Sequence, residues 1–397
     1  MRFTTEYLGS SILNLRSTQV HSMENSSLEQ ELNLFQKHVT DRFNELSSVP
    51  NNDLLSLSWV RKLLDIFLCC QEEFRMILHN HRSKVCKPPL DCLVNEFYER
   101  SVKALDICNA ISDGVETVRQ WEKLLEIVVC ALDTKRIISK GKFRRAKKAL
   151  VDLAIGMVDD SNEDSNNVFS FASRNRSFGR NKVDRDRHDR RDSSAFGQFR
   201  LLSSSVSRNW SAIRQLQAIG NNLCFPKNSD LVASNGIALT IYTMNTILLF
   251  TMWALVAAIP CQDRGLHHNF SIPRQLSWAA PVTSLHERIL EESKKVERRN
   301  SCGLLKEIQK IEKCARVMND LADSLEFPLS EDKEDEVRVK VEDVVNVCEV
   351  SNPSFKPSQT FTTSSTLTLT SSSLSSLKGN SKESAISFIT LAHFSIF

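Results

Sequence analysis

Twenty-four consecutive residues, Gly236 to Ile259 (GIALTIYTMNTILLFTMWALVAAI), contain no Asp, Glu, Lys or Arg. Wound as a helix at about 1.5 Å per residue, such a stretch matches a hydrocarbon core about 30 Å thick. Three homes are open to it: a bilayer span, an interfacial or re-entrant insertion, and the wholly buried central helix of a large bundle, which is also apolar all round. Thr240, Thr243, Asn245 and Thr246 interrupt the run. Arg208, Arg214 and Lys227 before it are balanced by Arg264, Arg274 and Arg288 after it, so the positive-inside comparison gives no orientation. Under the membrane readings the segment comprises Gly236, Leu239, Ile241, Ile247, Leu248, Leu249, Phe250, Trp253, Leu255 and Ile259.

The rest of the chain has to be compatible with water, and it reads as helical. Only 11 Gly and 10 Pro occur in 397 residues, too few for many short strands and their turns. Leu28, Leu32, Phe35, Val39, Phe43 and Leu46 recur at steps of three or four, the mark of one helix face. After a break at Pro50, Val60, Leu63, Leu64, Phe67, Phe74, Ile77 and Leu78 form a second stripe. Leu93 to Ile111, Val115 to Leu132 and Phe143 to Met157 supply three more. Five stripes predict an all-α, antiparallel long-helix bundle with one central hydrophobic helix.

The expected organisation is a flexible N-terminus (1–27), an N-terminal bundle (28–158), a disordered linker (159–208), a C-terminal helical region (209–350) containing the hydrophobic helix 236–259, and a disordered tail (351–397). The linker and the Ser/Thr-rich tail lack the large aliphatics whose burial offsets ordering entropy. In the C-terminal region a short helix carries Trp210, Ile213, Leu216 and Ile219. The stripe Leu304, Ile308, Ile311, Ala315, Met318, Ala322 and Leu325 is a coiled-coil-like seam that asks for a partner helix. Val337, Val341, Val344 and Cys348 line a last one.

No phosphate-binding loop, dinucleotide-type glycine pattern, nucleophile elbow, HExxH or paired CxxC occurs, so no known catalytic machinery is visible and no cofactor or metal is expected. His267 and His268 read as loop residues, and Cys69 and Cys70 as small core residues. Eleven cysteines, an odd number without a regular framework, predict free thiols and a reduced, cytosol-facing location.

The net charge of +3 selects no partner, but its distribution is uneven. Lys135, Arg136, Lys140, Lys142, Arg144, Arg145, Lys147 and Lys148 fall within fourteen residues free of acidic side chains. Such a cluster suits anionic lipid headgroups or phosphate; a solvated helix face is the plainer reading. The run Arg174 to Arg191 interleaves Asp184, Asp186 and Asp189 and has no aromatic platform, which argues against nucleic-acid binding. Ser177, close to Arg174 and Arg176, is a candidate phosphosite.

Several strings together resemble the plant BYPASS-related family, and its ROH-type members most closely: ELNLFQKHVTDRF from Glu31, SWVRKLLDIF from Ser58, ALDICNAISDGVETVRQWEKLLEIV from Ala104, FRRAKKALVDLAIGM from Phe143, MWALVAAIPCQDRGL from Met252 and WAAPVTSLHERILEESKK from Trp278. The resemblance runs from about Glu31 to Glu349. It implies an all-helical plant protein with no established catalytic activity. It also implies membrane association and, through the ROH-type members, a link to an exocyst tethering subunit and polarised secretion. Family members continue past the position of Val350 into another charged helix, where this chain has its Ser/Thr-rich segment. That difference predicts a partly uncovered valine face at Val337 to Val345.

Two readings of function follow. In the first the chain is a non-enzymatic, membrane-associated adaptor, anchored by residues 236–259, that contacts a protein partner through the Leu28 to Leu46 or the Leu304 to Leu325 stripe. In the second it is a soluble regulator of developmental or stress signalling whose apolar segment is the spine of its core.

Overall fold

The computed structural model describes residues 8–132, 139–159, 211–260, 270–298, 301–324 and 331–351, with the side chains of the first helix from Ser27 onward. The expected linker, apart from its first residue, and the expected tail beyond Ser351 lie outside these residues. All regular elements described are helical: α1 (Leu8–Ser47), α2 (Leu57–Asn80), α3 (Arg82–Val85), α4 (Leu90–Ala131), α5 (Lys140–Asp159), α6 (Ala212–Gly220), α7 (Asn228–Ala233), α8 (Ile237–Ala258), α9 (Ala279–Lys294), a 3-10 turn (Val296–Arg298), α10 (Lys306–Ser324) and α11 (Glu331–Ser351).

The amphipathic stripes sit where their periodicity puts them. Leu28, Leu32, Phe35, Val39, Phe43 and Leu46 of α1 are all buried, as are Val60, Leu63, Leu64, Phe67, Phe74 and Ile77 of α2. The helix α1 begins at Leu8, inside the stretch expected to be flexible, and no Gly or Pro interrupts the chain from Ser10 to Val49. Pairing of Glu31 with His81, of Arg42 with Glu73 and of Lys62 with Glu45 sets α1 and α2 antiparallel. The third and fourth stripes belong to one 42-residue helix, α4, because Gly114 between them does not break it. A Cβ at Gly114 would lie 2.1 Å from the Pro260 carbonyl oxygen; the glycine is there to let the end of α8 approach.

The apolar helix α8 is threaded through the middle. It packs against α4, α2, α6, α9, α1 and α7. It runs in the same direction as α1, where Gln36 meets Thr243 and Phe43 meets Phe250, and as α4, where Cys108 meets Met252. Every residue from Thr240 to Ala258 is buried. Phe250 takes edge contacts from Phe43 and Phe270, each with ring centroids 5.9 Å away, and Trp253 from Phe270 at 5.6 Å. The polar side chains of α8 are only partly absorbed internally: the Asn245 amide N–H donates to the Ile241 carbonyl (3.0 Å) and the Thr246 hydroxyl to that of Tyr242 (2.9 Å), while the buried Thr240 and Thr251 hydroxyls and the Asn245 amide oxygen have no hydrogen-bond partner among the described residues. Thr243 bonds to Gln36, which also accepts from the Trp278 indole N–H (2.9 Å).

Both ends of α8 are closed by protein groups. At the start Gly236 adopts a left-handed φ of 86°, its N–H donates to the Leu231 carbonyl, and the Ser234 hydroxyl accepts from the Ala238 N–H (3.2 Å). At the far end the last-turn carbonyls, which a helix leaves without internal donors, are met by the loop before α10. Leu304 N–H donates to Ala257 and Leu305 N–H to Ala258, both at 3.0 Å. Gly303 makes this approach possible, since its Cβ would stand 2.5 Å from the Ala258 carbonyl oxygen.

The sealing loop has its own brace. One carboxylate oxygen of the buried Glu312 accepts from the Ser301 hydroxyl (2.9 Å) and the Cys302 N–H (3.1 Å), and buried Arg298 donates to the Leu304 carbonyl (3.2 Å). Next to it, Glu307 accepts from the Leu57 N–H at the start of α2 while Lys306 N–H donates to the Leu55 carbonyl, so two helix N-termini cap through each other. Burial pushes both carboxyls above the usual carboxylate range, against these hydrogen bonds.

A second, smaller core joins Leu125 and Val128 of α4, Phe143, Ala146 and Leu150 of α5, Met318 and Leu321 of α10, and Val337, Val341 and Val344 of α11. The valine face expected to be partly uncovered is therefore covered at these three positions. The seam on α10 is likewise occupied by α4, α5 and α11.

Two outcomes follow from the sealed helix end. Gly303→Ala should destabilise the fold by about 1–3 kcal/mol through overpacking, whereas Gly141→Ala, whose nearest neighbour is 3.9 Å away, should not; thermal unfolding of the two variants checks this, and equal behaviour would contradict it. A carboxyl whose pKa is raised by folding binds its proton more readily in the folded state, so stability declines as pH climbs from the unfolded to the folded value. Glu312→Gln retains an acceptor without charge and should make that decline in Tm shallower; an unchanged slope would count against the buried brace.

Candidate functional site

The sequence points to two features that could act on something outside the protein: the uncharged helix and the basic cluster. Their surroundings in the fold differ completely. Of the residues named for the membrane segment, Ile241, Ile247, Leu248, Leu249, Phe250, Trp253, Leu255 and Ile259 are buried, and Gly236 and Leu239 are half-buried, all against the chain's own helices. The helix α8 offers no outward apolar face.

The basic cluster does face out. The inner side of α5 is set by Phe143, Ala146, Leu150, Leu153 and Met157, which pack on α4 and α10. At 3.6 residues per turn the opposite side carries Lys140, Arg144, Lys147 and Lys148, with Arg145 at its edge, and all five are exposed. Lys142 is half-buried. Lys147 makes a 3.2 Å ion pair with Asp323 of α10, itself an exposed contact. Among the described residues Lys140, Arg144, Arg145 and Lys148 have no ion-pair partner. The first turn of α5 holds no acidic residue and includes Lys140, a cation at the positive end of the helix dipole, where it weakens rather than supports the helix; Lys140, Arg144 and Lys148 follow one another at four-residue spacing, which sets like charges side by side. Further along the same outward side come half-buried Val151 and exposed Ile155.

Lys135 and Arg136, which extend the cluster in sequence, lie outside the described residues, as do Ser177, His267 and His268. Among the described residues no group of three His, Cys, Asp or Glu side chains is placed to hold a metal ion. The thiols of Cys70 and Cys108 are each pushed up to about 12 by burial, partly opposed at Cys70 by Arg42, which leaves neither as a nucleophile near neutral pH. Cys69 corrects the expectation that it belongs to the core: it is exposed, because neighbouring residues on a helix point about 100° apart and Cys70 takes the inner position.

Of the two stripes expected to offer partner contact, Leu28 to Leu46 and Leu304 to Leu325, the first is buried within the chain's own core, as is the second as far as Ala322; Leu325 lies outside the described residues. Reasoning from sequence missed the residues that close the end of α8: Gly114, Gly303, Arg298 and Glu312. One signal was present. Glu312 falls on the apolar face of the α10 seam, four residues after Ile308 and three before Ala315, where a charge has to find buried partners.

Comparison with known proteins adds what geometry alone does not carry. A family described as "Protein ROH1-like" matches residues 2–360. Protein ROH1D of Arabidopsis thaliana is 54% identical over 358 residues, covering 86% of this chain and 88% of that protein. Protein ROH1A of the same plant is 35% identical over 366 residues, covering 85% and 86%. The UPF0496 protein 4 of Oryza sativa subsp. japonica is 21% identical over 275 residues, 68% of this chain and 49% of that protein. No solved structure matches. The length of the family match and the two Arabidopsis relatives establish that this chain belongs to the ROH1-like family.

Proposed function

We propose that the chain is a non-enzymatic helical adaptor, that its uncharged helix α8 is the spine of a water-soluble core rather than a bilayer anchor, and that it serves the tethering step of polarised secretion through a protein partner, an exocyst tethering subunit. The observation that carries the core reading is the closure of α8 at its end as well as around its sides. A spanning helix leaves its terminal carbonyls to interfacial water, whereas the carbonyls of Ala257 and Ala258 are met by backbone N–H groups of residues 304 and 305. Pulling α8 into a bilayer would strip those donors and also expose the apolar faces of α1, α2 and α4 that now pack on it. The secretory role rests on ROH1-like membership and on what the resemblance to ROH-type proteins implies. With the two apolar stripes used up internally, partner contact falls to the outer faces of the helices.

Alkaline carbonate extraction of cells expressing the full chain, paired with binding of the purified chain to purified exocyst subunits, tests both parts. The chain should be released by carbonate and should bind one subunit. Leu248→Asp should unfold it rather than free an intact protein, since burying an unpaired charge costs several kcal/mol (~3 or more). Retention in the carbonate pellet would overturn the core reading, and absence of binding to every subunit would overturn the secretory one.

A further inference from the structure

With α8 enclosed, any affinity for membranes has to come from elsewhere on the surface, and the outward side of α5 is the place built for it. We propose that this face docks the protein peripherally on anionic lipid bilayers, a reading that rests on α8 being core. Lys140, Arg144, Arg145 and Lys148 project into solvent without an ion-pair partner among the described residues. Lys140 opposes the dipole at the start of α5, and Lys140, Arg144 and Lys148 stand as like charges four residues apart, so an external anion is what offsets their mutual repulsion.

The shape of the site selects among anions. The cations stand on the convex side of one helix, spread over two to three turns. A flat sheet of laterally mobile headgroups meets that arrangement without a pocket, because each headgroup moves to its cation. The same outward side continues into half-buried Val151, one exposed acid, Asp152, and Ile155, the last 38% exposed, so a segment of four cations is followed by a single carboxylate and two apolar side chains. Apolar side chains of this kind enter the boundary between headgroups and acyl chains, which a nucleic acid or an acidic peptide does not offer. The inner side of α5 stays packed on α4 and α10 throughout, so docking needs no change in the fold.

Co-sedimentation of the full chain with vesicles tests the assignment. Vesicles of phosphatidylcholine with one-fifth phosphatidylserine should bind the chain, and pure phosphatidylcholine vesicles should not. The triple variant Arg144→Gln, Arg145→Gln, Lys148→Gln should bind about a hundredfold more weakly, since each basic residue near an anionic surface contributes roughly a fivefold factor. Ile155→Ser should weaken binding while leaving its salt dependence as in the wild type. All substitutions are at exposed positions, so far-UV circular dichroism should be unchanged. Equal binding to both vesicle types, or undiminished binding by the triple variant, would overturn the proposal. So would competition by polyglutamate as effective as that by the anionic vesicles, which would assign the face to an acidic protein. Failure here leaves carbonate extraction unaffected, so it is distinguishable from failure of the core reading.

Discussion

The hydrogen bonds from Leu304 and Leu305 to the carbonyls of Ala257 and Ala258 are the contacts on which the proposed core reading of α8 rests. An apolar helix of this length is compatible with lipid or with protein on its sides, because neither environment asks anything of hydrocarbon side chains beyond removal from water. On the proposed reading its ends carry the difference. The peptide groups there need partners, and the partner is water in one case and a dedicated protein loop in the other. Here a loop braced by Glu312 and Arg298 provides it, and a glycine at 303 brings the two backbones within reach.

Much of the remaining architecture follows from that closure. A helix from the C-terminal half lies among α1, α2 and α4 of the N-terminal half, so the two halves share one main core. Trp278 and Arg288 then tie the start of α9 and its middle to α1 and the loop after it; the Arg288 guanidinium donates to the Ser47 and Val49 carbonyls. The second core, made by the ends of α4, α5, α10 and α11, holds α5 with its inner face down and its cations outward. A buried acid thus organises one end of the molecule, while unburied bases mark its surface.

The amphipathic helices were legible in the sequence because one face of each must be dry and the other wet, which imprints a 3.6-residue period. That is why the Leu28 to Leu46 and Leu304 to Ala322 stripes correspond to buried faces. The same logic fails for α8: a helix buried all round has no period to read, so its neighbours could not be inferred. The two stripes on either side of Gly114 looked separate for a related reason. Glycine signals either a break or a close approach, and only the position of Pro260 tells which. The basic face of α5 was legible as a charge cluster, but the pairing of Lys147 with Asp323, 176 residues away in sequence, was not. Membership of the ROH1-like family, in contrast, came through directly, since it depends on the order and identity of residues rather than on their contacts.

Taken with the family, the fold describes an all-helical ROH1-like protein whose most hydrophobic segment is enclosed by its own helices. The direct test of that account is hydrogen exchange read by mass spectrometry on the full chain in buffer free of detergent and lipid. The amides of α8 should exchange as slowly as those in the middle of α4, and adding vesicles should not change them. Fast exchange across α8 in buffer, suppressed only when a bilayer is supplied, would contradict it.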